Sequence, residues 1–268
     1  MGLKIYLLVI QCIVLCIQFR LVNLKALEGD NVKVVAGNGF DFIVSIMLID
    51  SKNIRSEKNH ICTGSLVSRR DVLTAAHCLM YQQLDEIEII VGSIDLRNGE
   101  KYLPEWWITF ESWIERKDRI SRFLLNDISI IRLTKNVSDT INFPIISTTL
   151  SNFLPGVDVK SAGWGIKSDG RTPRLLESAT LTILSKADCE SRIEKLNGYK
   201  LEIHFRFICT VGNPPALLTF GDSGSPVLVD NKIIAISIQT SPLPEQPFNK
   251  EKVNIHLIVN YYNERNNV

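Results

Sequence analysis

Gly221-Asp222-Ser223-Gly224-Ser225-Pro226 is the stretch that decides the fold of this chain. It places a serine in a glycine-flanked loop, where its hydroxyl can act as a nucleophile. Two other stretches supply partners for that serine: Thr74-Ala75-Ala76-His77-Cys78 contains a histidine, and Asn126-Asp127-Ile128 contains an acid. A base, an orienting acid and a nucleophile are therefore present in the order His, Asp, Ser.

That order, with these neighbouring residues, resembles the chymotrypsin/trypsin family of serine proteases, whereas other serine hydrolases carry the three residues in other orders. Ala162-Gly163-Trp164-Gly165 also stands where the family has such a turn. The resemblance implies an all-β fold of two six-stranded antiparallel β-barrels packed together, with a short intermediate helix and a C-terminal helix. His77 and Asp127 would come from the first barrel and Ser223 from the second, with the site in the cleft between them.

The remaining sequence fits that expectation, because it consists of many short apolar runs separated by turn residues. The predicted strands are Phe42 to Ile49, Gly64 to Val67, Ile87 to Val91, Ile128 to Leu133, Val157 to Ser161, Ala179 to Leu184, Val227 to Val229 and Ile233 to Ile238. Helices are predicted from Lys186 to Glu194 and from about Leu257 to Arg265. A protease domain over 34–268 would then contain barrels at about 34–145 and 146–255.

Composition favours a folded enzyme over a disordered or nucleic-acid-binding chain. The 268 residues are 45% apolar and 22% charged, which is enough to bury a substantial core. The formal net charge of +1 provides no general attraction to nucleic acid or to an anionic membrane. The family resemblance implies protein or peptide substrates, an activating protease and protein protease inhibitors as partners of a monomer.

The N-terminus predicts secretion. Lys4 precedes a mostly apolar run from Ile5 to Ile17, which has the length of a signal-peptide core and is short for a membrane span. Residues 1–26 are accordingly predicted to be a signal peptide, cleaved near Ala26, and the mature protein to be extracellular. A signal anchor is the alternative.

The segment after the signal resembles the family's activation junction. Residues 27–33 form a short polar propeptide that ends at Lys33, and Val34 begins an apolar sequence. The resemblance implies that cleavage after Lys33 frees the amine of Val34 to pair with the carboxylate of Asp222 and order the loop around the nucleophile. The alternative is an ordinary lysine that precedes a strand.

The chain has six cysteines, two of which leave with the signal, so the mature protein keeps Cys62, Cys78, Cys189 and Cys209. Four cysteines allow three pairings. The family pattern pairs the first with the second and the third with the fourth, and each such bridge closes a modest loop in an oxidising compartment. A zinc site at Cys62, His77 and Cys78 is the competing interpretation, which the ligand spacing and secretion disfavour.

The resemblance also assigns chemical roles. Ser223 would attack a carbonyl carbon, His77 would take its proton, and Asp127 would hold the imidazole in the required tautomer. The backbone N–H groups of Gly221 and Ser223 would stabilise the oxyanion. This mechanism needs no metal and no organic cofactor.

The substrate pocket is where the sequence departs from the family. Leu217 stands six residues before the nucleophile, where trypsins carry an aspartate, so cleavage after basic residues loses its physical basis. Phe220 would lie at the pocket mouth and Ser237 on its wall, while Gln239 replaces a glycine that keeps the pocket open. Lys252 falls near another missing glycine, and if it projects inward it could pair with an acidic substrate side chain.

Two functions from different classes follow. The first is a serine endopeptidase with a pocket unlike that of trypsin, made as a zymogen, with a sequon at Asn136 that could carry a glycan. The second is a catalytically impaired homologue that acts as a binding protein or decoy, in which Gln239 or its neighbours would fill the pocket. The complete set of His77, Asp127 and Ser223 favours the enzyme.

Overall fold

A computed structural model describes residues 31–37, 39–52, 54–120, 125–148, 154–167, 169–241 and 249–263. The predicted signal peptide and most of the predicted propeptide lie outside these ranges. Strands dominate the described chain and helices are few, so the all-β prediction is confirmed.

The structure contains strands β1 (Val32–Val34), β2 (Ile43–Leu48), β3 (His60–Leu66), β4 (Asp71–Thr74), β5 (Ile87–Val91), β6 (Glu100–Tyr102), β7 (Pro104–Thr109), β8 (Ser129–Leu133), β9 (Ile145–Ile146), β10 (Asp158–Gly163), β11 (Glu177–Ile183), β12 (Phe207–Val211), β13 (Pro226–Val229), β14 (Lys232–Ser241) and β15 (Val253–Ile258). The helices are α1 (Phe110–Glu115), α2 (Lys186–Asn197) and α3 (Asn260–Asn263), with single 3₁₀ turns at Glu57–Asn59 and Ala76–Cys78. Within the described ranges, no helix is long and apolar enough to cross a bilayer.

The first sheet has the order β6-β5-β2-β3-β4-β8-β7 and curls into a half-barrel. Its two end strands follow each other in the chain and are separated by Leu103 alone, so the sheet begins and ends in one bent segment. Pro104 opens β7 and has no backbone N–H to donate, which accounts for the break in what the sequence predicts as one barrel of six strands.

The second sheet closes completely. Strands β11, β10, β13, β14, β15 and β12 pair in that order, and β12 pairs back with β11 to complete a six-stranded barrel. Two short strands extend it: β1 lies outside β11, and β9 runs parallel to the start of β14. The N-terminal strand therefore belongs to the sheet formed by the second half of the chain.

One apolar core joins the two sheets. Its largest cluster contains most of the buried side chains of the first sheet and also Leu228, Ile236 and Leu257 of the second. Trp164 is buried within it, and its indole N–H donates to the carbonyl oxygen of Ile94 at 3.2 Å. The free energy gained by burying apolar side chains scales with the area removed from water, so this shared core keeps the two sheets packed together.

The predicted C-terminal helix begins later than expected. Leu257 and Ile258 belong to β15, and the helix starts at Asn260. All six residues of β15 are buried between β12 and β14, and a fully buried strand lacks the alternation that separates it from a helix in sequence. The end of the predicted helix, Glu264 and Arg265, lies outside the described residues.

The intermediate helix is confirmed and extends slightly beyond its prediction. Ser185 caps α2, with its hydroxyl accepting from the backbone N–H of Asp188 at 3.1 Å. Cys189 on this helix forms a disulfide with Cys209 on β12, and Cys62 forms the other with Cys78, as the family pattern implied. The sulfurs of Cys62 and Cys78 are bonded to each other, which excludes the zinc interpretation.

Replacing both Cys189 and Cys209 by alanine should destabilise the fold, because the bridge closes a loop with a sequence separation of 20 residues. Loops of this size contribute about 3 kcal/mol, and the Tm should therefore fall by roughly 10 °C. Thermal unfolding followed by circular dichroism measures the change. An unchanged Tm would contradict the expectation. Cys189→Ser with Cys209→Ser is a second, polar replacement that should behave alike.

Candidate active site

His77 and Asp127 are brought together by the pairing of β4 with β8. Thr74 lies opposite Ser129, so the residues that follow β4 meet those that precede β8. The Nδ1 atom of His77 is 2.7 Å from Oδ2 of Asp127, and the backbone N–H of His77 donates to Oδ1 at 2.9 Å. A carboxylate accepts the Nδ1 proton, so the neutral ring leaves Nε2 available as a base.

Asn126 anchors the segment that carries Asp127. Its amide nitrogen donates to Glu111 at 2.6 Å, and its carbonyl oxygen accepts from Arg206 at 3.0 Å and from the Tyr262 hydroxyl at 2.7 Å. These contacts come from α1, from the approach to β12 and from α3. Sequence reasoning did not identify Asn126 as functional, although it directly precedes the predicted acid.

Ser223 lies in the loop between β12 and β13, against the first sheet. Its carbonyl oxygen accepts from the backbone N–H of Thr63 at 2.9 Å and is 3.9 Å from the Cys78 sulfur. The serine is thus held beside the residue that follows His77. Among the described residues, no hydrogen bond joins the Ser223 hydroxyl to the His77 ring.

Two backbone N–H groups of the serine loop are unpaired. Within the described chain, the N–H groups of Gly221 and Ser223 have no hydrogen-bond acceptor. The Phe220 carbonyl accepts from the N–H of Ile166 at 2.8 Å, so the Gly221 N–H, on the opposite side of that trans peptide, points away from Ile166. Gly221 has φ +99°, a conformation that favours glycine, and a Cβ there would lie 3.0 Å from the His60 ring.

The carbonyl oxygen of Gly221 is held by two side chains that sequence reasoning missed. His60 Nε2 is 2.9 Å from it and Thr63 Oγ1 is 2.8 Å from it. A carbonyl only accepts, so Nε2 of His60 carries the proton, and its Nδ1 accepts from the Ser45 hydroxyl at 2.7 Å. Burial lowers the pKa of His60 to about 4, which keeps the ring neutral.

Asp222 is a fully buried acid. Its carboxylate accepts from the backbone N–H groups of Gly165 and Thr219, each at 2.9 Å. Burial raises the pKa of Asp222 to about 7, and the negative charge of Glu177 adds to this, whereas the hydrogen bonds lower it. Among the described residues, Asp222 has no ion-pair partner.

Lys33 and Val34 lie in β1, away from Asp222 in the uncut chain. Val34 is paired with Glu177 on β11 and half exposed, and the Lys33 side chain is exposed as well. The predicted ion pair between a new Val34 amine and Asp222 would therefore require β1 to leave its present place.

The predicted pocket residues lie in two groups. Leu217 is buried, and the neighbouring backbone is held by Asn254, whose side chain accepts from the N–H of Leu218 at 2.8 Å and donates to the carbonyl of Ala216 at 3.0 Å. Phe220 is half exposed.

On the other wall, Ser237 is buried and Gln239 is exposed, next to an irregularity in the pairing of β14 with β15. The Gln239 side chain is therefore accessible to solvent, and the expectation that it or its neighbours fill the pocket stays a prediction. Lys252 is buried just before β15.

His256, also missed in the sequence, anchors the pocket wall. It is fully buried, with Nε2 2.8 Å from the Thr210 hydroxyl and Nδ1 3.1 Å from the Ser237 hydroxyl. Burial lowers its pKa to about 3. The only sequence signal for it was a polar residue inside an apolar run.

Outside the pocket, Asn136 is exposed in the loop after β8, while the side chain of Val137 is buried. The predicted glycosylation sequon is thus accessible to solvent.

A carboxylate-bound histidine and a serine loop with unpaired backbone N–H groups, carried by a half-barrel and a closed β-barrel that pack together, are typical of one class of serine hydrolase. The chain belongs to the trypsin family of serine endopeptidases, because the family model described as Trypsin matches residues 33–262.

Similar proteins agree with this assignment. Chymotrypsin-2 of Vespa crabro is 32% identical over 186 residues, which cover 69% of this chain and 79% of that protein. Trypsin delta of Drosophila erecta is 27% identical over 188 residues, covering 69% and 70%. The structure of neuropsin, a serine protease expressed in the limbic system of mouse brain, superimposes with a TM-score of 0.67, covering 86% of this chain and 95% of neuropsin at 20% identity, and shows the shared fold.

The two buried histidines should make stability depend on pH. Their pKa values of about 4 and about 3 in the folded protein lie below the ordinary value of about 6.5. The unfolded chain therefore binds more protons between these values, and the free energy of unfolding should fall as pH drops below about 6.5. Asp222, whose pKa is raised, has the opposite effect, because protonation favours its folded form.

A variant of His256 separates the contribution of this residue to the pH dependence of stability from these opposing effects. His256→Gln should lower the Tm at pH 7.5 by about 5 °C, because a buried hydroxyl loses its partner. The difference from the wild type should shrink as pH falls from 6.5 to 5, since the variant has no imidazole to protonate there. Thermal melts across this range measure the difference, and parallel curves would contradict the assignment.

Proposed function

We propose that this chain is a secreted serine endopeptidase, made as a zymogen, that hydrolyses peptide bonds with Ser223, His77 and Asp127. The observation that carries the proposal is the pair of hydrogen bonds from His77 to Asp127, which leaves Nε2 of the ring available, while the sulfur of the next residue, Cys78, lies 3.9 Å from the Ser223 carbonyl oxygen. The unpaired N–H groups of Gly221 and Ser223 support it, because a tetrahedral oxyanion needs donors that are fixed in advance.

The reaction proceeds in two acyl transfers. The Ser223 oxygen bonds to the carbonyl carbon as its proton passes to Nε2 of His77, and the carbonyl oxygen takes the charge between the two backbone donors. The C–N bond then breaks, and the imidazolium gives its proton to the leaving amine. Water attacks the acyl-enzyme in the same way, losing a proton to His77, and Ser223 regains a proton as the acid product leaves.

Activation follows from the buried charge of Asp222. A carboxylate without a cation is costly to bury, and a freed N-terminal amine would supply the missing charge. Val34 is in register with Glu177, and Glu177 with Gly163, whose backbone lies against Asp222. Two strand spacings amount to roughly 10 Å, so a new amine at Val34 would need to move only a short distance once β1 and Val35 are released.

Secretion is supported by the two disulfides, which persist in oxidising compartments, and by the apolar N-terminal run. The exposed sequon at Asn136 is compatible with a glycan added on that route.

The nucleophile is testable without knowledge of the substrate. Protein cleaved after Lys33 should be labelled by a fluorophosphonate probe, and Ser223→Ala should abolish the labelling. Asp127→Asn should slow it by about 10⁴-fold, because the wrong imidazole tautomer is then favoured. Labelling followed by in-gel fluorescence and mass spectrometry of the modified peptide measures both effects.

The uncut protein and Lys33→Gln serve as controls and should be labelled far more slowly. Absence of labelling in wild-type protein with a verified Val34 N-terminus would overturn the enzyme and favour the binding-protein function.

For specificity, we propose a pocket that does not accept basic side chains. Leu217 is buried at the position where the resemblance places the aspartate of trypsins, and Asn254 holds the backbone on both sides of it. An apolar side chain offers no partner to the charge of a lysine or arginine, so burying that charge there is unfavourable.

A positional library of fluorogenic peptides tests this pocket. The activated wild type should disfavour lysine and arginine before the cleaved bond, and Leu217→Asp should raise the relative rate of such substrates at least tenfold, because the new carboxylate would supply a charge-assisted hydrogen bond. Leu217→Ala is the matched control, because it shortens the side chain without adding a charge. A wild-type preference for basic residues would contradict the proposal.

A further inference from the structure

Thr63 connects the two halves of the site through three hydrogen bonds. Its backbone N–H donates to the Ser223 carbonyl at 2.9 Å, and its hydroxyl donates to the Gly221 carbonyl at 2.8 Å. Its own carbonyl accepts from the Thr74 hydroxyl at 2.9 Å. Thr74 ends β4, three residues before His77. Thr63 is fully buried. It contacts Thr74, on the strand that leads to His77, and it also contacts both Gly221 and Ser223.

The hydroxyl of Thr63 acts on a backbone group that needs restraint. Gly221 has no side chain to limit rotation, so its conformation depends on what its peptide groups contact. The peptide before it is held by Ile166, and the peptide after it by His60 and Thr63. These two donors use both lone pairs of the Gly221 carbonyl. Rotation of either peptide would break these bonds, so the backbone on both sides of Gly221, including its N–H, is held in one orientation.

We infer that Thr63 is a positioning residue for the oxyanion donors. It does not contact the substrate; it holds the Gly221 amide in the orientation that the tetrahedral intermediate requires. The inference rests on the proposed function. Removing the Thr63 hydroxyl should therefore slow acylation and leave substrate binding nearly unchanged, because the donors matter most when charge develops on the oxygen.

The test compares Thr63→Val, which is nearly isosteric, with Thr63→Ser, which keeps the hydroxyl. Thr182→Val is the matched control, because it removes a 2.6 Å hydroxyl hydrogen bond to Asp158 from a strand outside the site. All are made in the full chain and cleaved after Lys33. Hydrolysis of p-nitrophenyl acetate and the rate of fluorophosphonate labelling report on acylation without reference to the pocket.

Thr63→Val should lower kcat and the maximal labelling rate about tenfold, the effect of losing one hydrogen bond, with KM within about twofold. Thr63→Ser should restore most of the rate, and Thr182→Val should resemble the wild type. Rates are normalised to the folded fraction from thermal melts, and Thr63→Ala replaces Thr63→Val if the latter does not fold.

An active wild type with an unchanged Thr63→Val rate would overturn the positioning role and leave the proposed function intact. A rate that falls only in proportion to lost folded protein would do the same, since it would assign Thr63 to stability. A wild type that neither hydrolyses the ester nor reacts with the probe would overturn the proposed function, and this inference with it.

Discussion

The buried carboxylate of Asp222 is the constraint on which the site depends. Its two backbone hydrogen bonds tie the nucleophile loop to Thr219 and to Gly165, and a Cβ at residue 165 would clash with the carboxylate. These hydrogen bonds and this close packing therefore hold the turn at Trp164 and the loop at Ser223 together. Because burial raises the pKa of Asp222 to about 7, its charge is poorly stabilised near neutral pH. A cation placed beside this carboxylate would favour its charged form.

The second organising feature is the seam between the sheets. Each sheet is nearly complete in its own strand pairing, so contact between them depends on the shared apolar core and on a few hydrogen bonds. Among those bonds, Thr63 and His60 on β3 hold the carbonyls of Gly221 and Ser223. His77 and Ser223 come from different sheets, and their relative position therefore depends in part on β3, which carries neither.

The sequence predicted the class of fold and the meeting of His77 with Asp127, because short motifs with fixed order carry that information. It did not predict the roles of Thr63, His60 or His256. Thr63 and His60 contact Gly221, which lies more than 150 residues further along the chain, and His256 contacts residues on the two neighbouring strands. Leu257 was placed in a helix because a strand buried on both faces shows no alternation. Strands β4, β6 and β7 of the first sheet were not predicted, because they are short or, as in β6 and β7, lie around Pro104 in a segment that mixes charged and apolar residues.

Strand β1 has a consequence for how fast the protein could be switched on. It is a three-residue strand at the edge of its sheet, paired only with β11, and it contains the bond after Lys33. A protease needs an extended, unpaired segment, so cleavage there must wait for β1 to detach. Short edge strands open at little free-energy cost. The lag before activity would then be set by the fraction of time that this strand is open. A substitution that strengthens the pairing of β1 with β11 would lengthen that lag.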